Sequence, residues 1–101
     1  MAELPEELTG CSGFQWGAGN ATKNWELHRV TQAEAEQVFF NTPLRIAPDG
    51  GHSQTERRFA ALGTTAQGRH LAVVFTIRGT LLRVISARDM SRRERRVHAK
   101  A

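Results

Sequence analysis

Residues 71–96, LAVVFTIRGTLLRVISARDMSRRERR, decide the fold. Two apolar runs rich in β-branched side chains, 71–77 and 81–87, are separated only by Arg78-Gly79-Thr80. A short break holding a glycine encodes an antiparallel hairpin, because glycine supplies the backbone freedom a tight reversal needs. Alternation puts Leu71, Val73, Phe75 and Ile77 on a bulky face and Ala72, Val74 and Thr76 on a lighter one. The hairpin is therefore expected at the centre of a small sheet. After it, Ser91-Arg92-Arg93-Glu94 has the S-x-x-E spacing of a capping box, in which serine and glutamate satisfy free amides of a helix start. A basic helix thus leaves the sheet edge. Arginines on a strand and on the helix beside it are held ready for a polyanion, with no loop having to order first.

Composition limits what surrounds this core. A chain of 101 residues suffices for one domain with one modest core. Residues 45–101 hold 12 basic and 4 acidic side chains, whereas residues 1–44 hold 2 and 6. Clustered arginine favours a phosphate-bearing partner, since neutralised phosphates release counterions; a merely solvated surface is the competing reading. Cys11 is the single cysteine, so no disulfide within the chain and no Cys/His metal spacing can form. No metal or other cofactor is expected. No apolar run reaches the ~20 residues needed to span a bilayer, and the start lacks a signal-peptide pattern, so no membrane association and a cytoplasmic location are expected.

Outward from the hairpin, residues 1–13 have no periodicity and are expected as a flexible N-terminal extension to a single domain over 14–101. Phe14-Gln15-Trp16 reads as a short strand with both aromatics on one side. Asn20 or Thr22 is expected to cap a first helix running through Leu27. Thr31-Gln32-Ala33-Glu34 is a second capping box, before a helix whose Ala35, Val38 and Phe39 form an apolar stripe and which Asn41, Thr42 and Pro43 end. Residues 43–48 leave room for a brief strand, and 49–53 read as a turn. Residues 55–62 alternate, with Glu56, Arg58, Ala60 and Leu62 on one face and Arg57, Phe59 and Ala61 on the other; residues 63–68 then turn the chain. The fold class is α+β: a small antiparallel sheet, two N-terminal helices and a C-terminal helix.

Cleaving RNA at neutral pH requires a deprotonated 2′-hydroxyl, a stabilised pentavalent phosphate and a protonated leaving oxygen. Arg58, Arg83 and Arg88 are the candidates for charge stabilisation, and Glu56 or His28 for the proton. Arg57, Arg92 and Arg95 are candidate RNA contacts, although the helical run 92–96 can turn only two or three arginines toward one ligand. Arg83 and Arg88 are five positions apart and point to opposite faces of an ideal strand. Either the strand ends or bulges between them, or one of them stands outside the site. Each candidate has a plainer reading. Glu56 could simply pair with a neighbouring arginine, a contact worth ~0–1 kcal/mol at a surface. Glu94 reads first as a capping residue and His28 as a helix-end packing residue. His52, His70 and His98 are isolated, and Trp16 and Trp25 are needed for packing before they can stack a base.

The ordered set of F-x-W at Phe14 to Trp16, Asn24 and His28 in NWELHRV, Val38-Phe39, E-x-R at Glu56 to Arg58, Gly63, GRHLAVVFT from Gly68, RVISAR from Arg83 and RRER from Arg92 resembles the BrnT toxins of bacterial type II toxin–antitoxin systems. The resemblance implies a RelE-like fold and metal-independent cleavage of RNA, mRNA included, that halts translation. It also implies neutralisation by a BrnA-like antitoxin, whose ribbon-helix-helix part brings the complex to promoter DNA. By motif it carries Glu56, Arg58, Arg83 and Arg88 into the RNA site, with His28. The chain departs from the family pattern at Gly17 and Leu27, where an acidic residue and a lysine are usual, and at His98, where a tyrosine is usual. A non-catalytic module that binds RNA or the ribosome through the same basic face is the alternative from another class.

Overall fold

The computed structural model describes residues 8–49 and 57–100. Its hairpin is the one the sequence encodes: β4 (His70–Arg78) and β5 (Leu81–Asp89) pair antiparallel around Gly79, whose φ of 60° suits a residue without Cβ. With β1 (Gly13–Trp16), β2 (Arg45–Pro48) and β3 (Arg58–Thr64) they make a five-stranded sheet of order β1-β5-β4-β3-β2, with β4 at its centre. The sheet is not wholly antiparallel as expected, because β1 runs parallel to β5. No hairpin joins that pair, so nothing local dictates its sense.

One face of the sheet is the core. Phe59, Ala61, Leu71, Val73, Phe75, Leu82, Val84 and Ala87 are buried against Val30, Ala35, Val38 and Phe39. The last three are the stripe of α2 (Gln32–Gln37) and the 3-10 turn Val38–Phe40 that continues it, with the Thr31–Glu34 capping box in place. Phe39 sets its ring edge-on to Phe75 at 5.1 Å. Phe14 and Trp16 pack on the same core, and the Trp16 indole donates to Glu36 at 2.8 Å. Gly63, expected to begin a turn, lies within β3 instead. Val38 explains it, since a Cβ at Gly63 would lie 2.8 Å from Val38 Cγ1. Trp25, expected to pack, is 46% exposed with the Arg29 guanidinium over its ring.

The start of α1 (Asn20–His28) also differs from expectation: Gly19, at φ 83°, holds the N-cap position and no side chain caps the helix. Asn20 has other work. β1 ends opposite Val84, and beyond that point the edge of β5 meets α1. There Asn20 Nδ2 donates to the Val84 carbonyl at 3.1 Å, and the Ala87 amide donates to Asn24 Oδ1 at 3.3 Å. Amides four apart on a helix lie on one side of it, so α1 takes over the ladder where the strand stops.

The third helix, α3 (Arg92–Ala99), opens with the expected Ser91–Glu94 capping box. It is tied at both ends. Glu94 accepts two bonds from Arg88 on β5, and His98 Nε2 lies 2.8 Å from the Pro43 carbonyl ahead of β2. Of the lead-in over residues 1–13, residues 1–7 lie outside the described part, while Leu8 is buried in the core and the Ser12 amide donates to Thr80. Glu56, His52 and most of the turn expected over 49–53 also lie outside the described residues. Among the described residues no helix is long and apolar enough to cross a membrane.

Candidate functional site

The second face of the sheet carries the charge. Cross-strand partners share a face, and the registers run Gln15 opposite Arg83, Arg83 opposite Thr76 and Thr76 opposite Arg58. These side chains form one row across β1, β5, β4 and β3. Two strand spacings, about 10 Å, separate the Cα atoms of Arg58 and Arg83. Thr76 between them is buried, and its hydroxyl donates to the Arg57 carbonyl at 2.7 Å.

The Arg83–Arg88 spacing is resolved by a bulge. The β4–β5 register shifts between Val74, opposite Ser86, and Phe75, opposite Val84, so Ile85 is an extra residue on β5. Arg83 then opposes Thr76 and Arg88 opposes Ala72, both on the lighter side of β4. All of Arg58, Arg83 and Arg88 therefore lie on one face.

They are not equally available. Arg88 donates to both Glu94 oxygens at 2.7 and 2.9 Å, and the pair draws the Glu94 carboxyl down to about 2, chiefly through that bond and further through the Ser91 amide. Arg58 and Arg83 have no carboxylate partner among the described residues. The Arg83 guanidinium rests against Gly17, where a Cβ would fall 2.5 Å from Nη2, so glycine at that position makes its berth. Arg58 Nε is shielded from solvent and has no hydrogen-bond partner, and the same holds for Gln15 Oε1 in the same row. Buried polar atoms are costly unless paired, so orphans flanking one row mark where a polar ligand would be rewarded.

Other candidates sit elsewhere. His28, at the last turn of α1, does not join the row: its ring is near Asp89, whose carboxyl is lowered first by the hydrogen bond from Arg69 and last by His28. Asp89 opposes Leu71, on the core side of the sheet and about 17 Å along β4 from the row. Arg69 is tied to four residues. It donates to Asp89 at 2.7 and 3.1 Å, to Glu34 at 3.2 Å, and to the His28 and Arg29 carbonyls that end α1. Arg57 is exposed, with its guanidinium 5.3 Å from the centre of the Phe59 ring, on the core side. Arg92 is exposed on α3, and Arg95 stands close enough to His70 to help lower its imidazole, after burial, the larger cause. Sequence reasoning did not single out Gln15; period two from the aromatics Phe14 and Trp16 was the signal that it faces the other way. Among the described residues no cluster of three or more His, Cys, Asp or Glu could hold a metal.

The chain matches, over residues 16–94, the family described as the ribonuclease toxin BrnT of type II toxin–antitoxin systems. Among solved structures it is similar to the ribonuclease toxin BrnT of Brucella abortus, with a TM-score of 0.62 and 22% identity over 79% of this chain and 97% of that one. No curated protein sequence matches it. The matched span takes in every strand from β2 to β5 together with α1 and α2, and on that basis the chain belongs to the BrnT family of ribonuclease toxins of type II toxin–antitoxin systems.

Proposed function

We propose that this protein is an endoribonuclease that needs no metal, works in the cytoplasm and halts translation by cutting mRNA, on a RelE-like plan. The observation that carries this reading is the pair Arg58 and Arg83, neither with a carboxylate partner among the described residues, on one face of the sheet with Thr76 on the strand between them. The scissile phosphate lies over Thr76, and the guanidinium forks stabilise the charge that grows on its oxygens. Glu56, two residues before Arg58 in the sequence, accepts the 2′-hydroxyl proton. Arg88 acts through Glu94 and α3 rather than on the phosphate. His28, seated by Asp89, serves the α1–β5 junction. Arg57, Arg92 and Arg95 contribute outlying phosphate contacts.

A BrnA-like antitoxin neutralises the toxin by covering this face, and promoter DNA is reached only through the antitoxin's ribbon-helix-helix part. Purified protein incubated with total RNA in excess chelator tests the reading. Cleavage is expected, and it should fall with Arg58→Ala and Arg83→Ala; RNA bound but left intact would establish the non-catalytic module instead. One observation favours that second reading: among the described residues the row offers no carboxylate or imidazole beside the arginines.

A further inference from the structure

A second basic site lies on the same face, away from the row. Arg93, Arg96, Val97 and Lys100 of α3 and its end, with Arg45 of β2, line a groove of about 320 Å³. Arg45 opposes Leu62, Leu62 opposes Ala72 and Ala72 opposes Arg88, which places Arg45 on the same side of the sheet as Arg58 and Arg83. Leu62 is four residues beyond Arg58 on β3, about 13 Å at ~3.3 Å per residue. None of the four cations pairs with a carboxylate among the described residues. The wall they stand on is fixed, since Glu94 ties one end of α3 to Arg88 and His98 ties the other to the Pro43 carbonyl.

We propose that this groove is an RNA-backbone site that holds the phosphates flanking the cleavage point, so that one strand of RNA runs from the Arg58–Arg83 row to the groove. The inference rests on the proposed ribonuclease function and deepens it. Charge selects the ligand class: converging guanidiniums with one apolar side chain suit phosphates beside a sugar. Distance sets the length. A stacked strand rises ~3.4 Å per nucleotide, so about four nucleotides bridge the gap. A substrate shorter than this reaches the row but not the groove.

The test measures binding of uncleavable 2′-O-methyl oligouridines of about two and about twelve nucleotides to the full chain and to an Arg93→Ala/Arg96→Ala double variant. Both substituted side chains are exposed, so folding is spared; Arg45→Ala probes the strand side separately. The intact protein should prefer the longer oligomer, and the double variant should lose roughly 10-fold in affinity for it. The slope of log affinity against log salt should shrink by about 1.4, for two phosphate contacts at ~0.7 each. Equal affinity and slope in the variant overturn the proposal. So does an equal loss on both lengths, which would assign these arginines to the central row. A polyglutamate peptide that binds the groove while RNA ignores it would replace RNA with an acidic protein partner. Cleavage of total RNA, assayed in parallel, separates the two claims: RNA held through the groove but never cut sinks the ribonuclease and spares the groove, and cutting indifferent to the groove does the reverse.

Discussion

Arg58 and Arg83 oppose the same residue, Thr76, from the strands on either side of it. Three neighbouring strands therefore set the spacing of the two Cα atoms through hydrogen-bonded ladders, not loops. The backbone beneath both side chains is preorganised, which is what the proposed stabilisation of a transient phosphorane needs.

Loss of either fork should then be a defect in rate more than in folding. Arg58→Ala and Arg83→Ala are each expected to slow RNA cleavage by about 10²-fold, the scale for removing one preorganised donor from developing charge. Thermal unfolding should move little, since neither side chain pairs with a carboxylate in the described structure. Lysine at either position keeps charge but not the planar fork, so intermediate rates are expected. Wild-type rates for both alanine variants would dismiss the row as the catalytic face.

Gly17 gives a second handle on Arg83. Alanine there would put a Cβ 2.5 Å from Nη2, and the guanidinium must leave its berth, while the glycine's own backbone asks for no special φ. Gly17→Ala should lower cleavage by roughly 10-fold with an unfolding midpoint close to wild type. Rates on a short RNA, paired with a melting curve for the variant, decide the matter.

Much of this architecture is written locally, and what is not written locally is what defines the site. The β4–β5 hairpin, both capping boxes and the stripe Ala35–Val38–Phe39 depend on residues within a few positions of one another, and all are present. The parallel sense of β1 joins residues 68 apart, as Ser12 and Thr80 do, and no short-range pattern carries it. The bulge at Ile85 was legible only as a conflict: two arginines five apart could share a face only if the strand broke its period. Which arginines are free was not legible at all. Arg69 finds Asp89 and Glu34 at separations of 20 and 35 residues, and only the folded chain reveals that it pairs with them while Arg58 pairs with no carboxylate among the described residues.

The Arg88–Glu94 pair predicts acid sensitivity of α3. The folded-state value near 2 lies below the ordinary 4.5, so the stabilisation is complete above pH 4.5 and is lost as pH falls toward 2. With Glu94 partly exposed, solvent screening limits the contribution to about 1–2 kcal/mol, including its share of the cap. Urea unfolding from pH 6 to pH 2 should show a steeper decline for the wild type than for Glu94→Gln, the two curves meeting at the acid end. Parallel curves would mean that the ion pair contributes nothing.

Arg69 makes the opposite case from Arg58, and the contrast tests the division of the arginines. Its guanidinium joins β5 through Asp89, α2 through Glu34 and the end of α1 through two backbone carbonyls. Arg69→Ala leaves those acceptors without their donor, and at ~1.5–3 kcal/mol for a hydrogen bond to a charged group a loss of about 3 kcal/mol is expected after partial rescue by water. The fraction that remains folded should still cut RNA at the wild-type rate per molecule, because Arg69 lies off the Arg58–Arg83 row. Measured below its lowered melting temperature, a folded Arg69→Ala protein that is inactive would place Arg69 in the site and undo the assignment of structural and functional arginines.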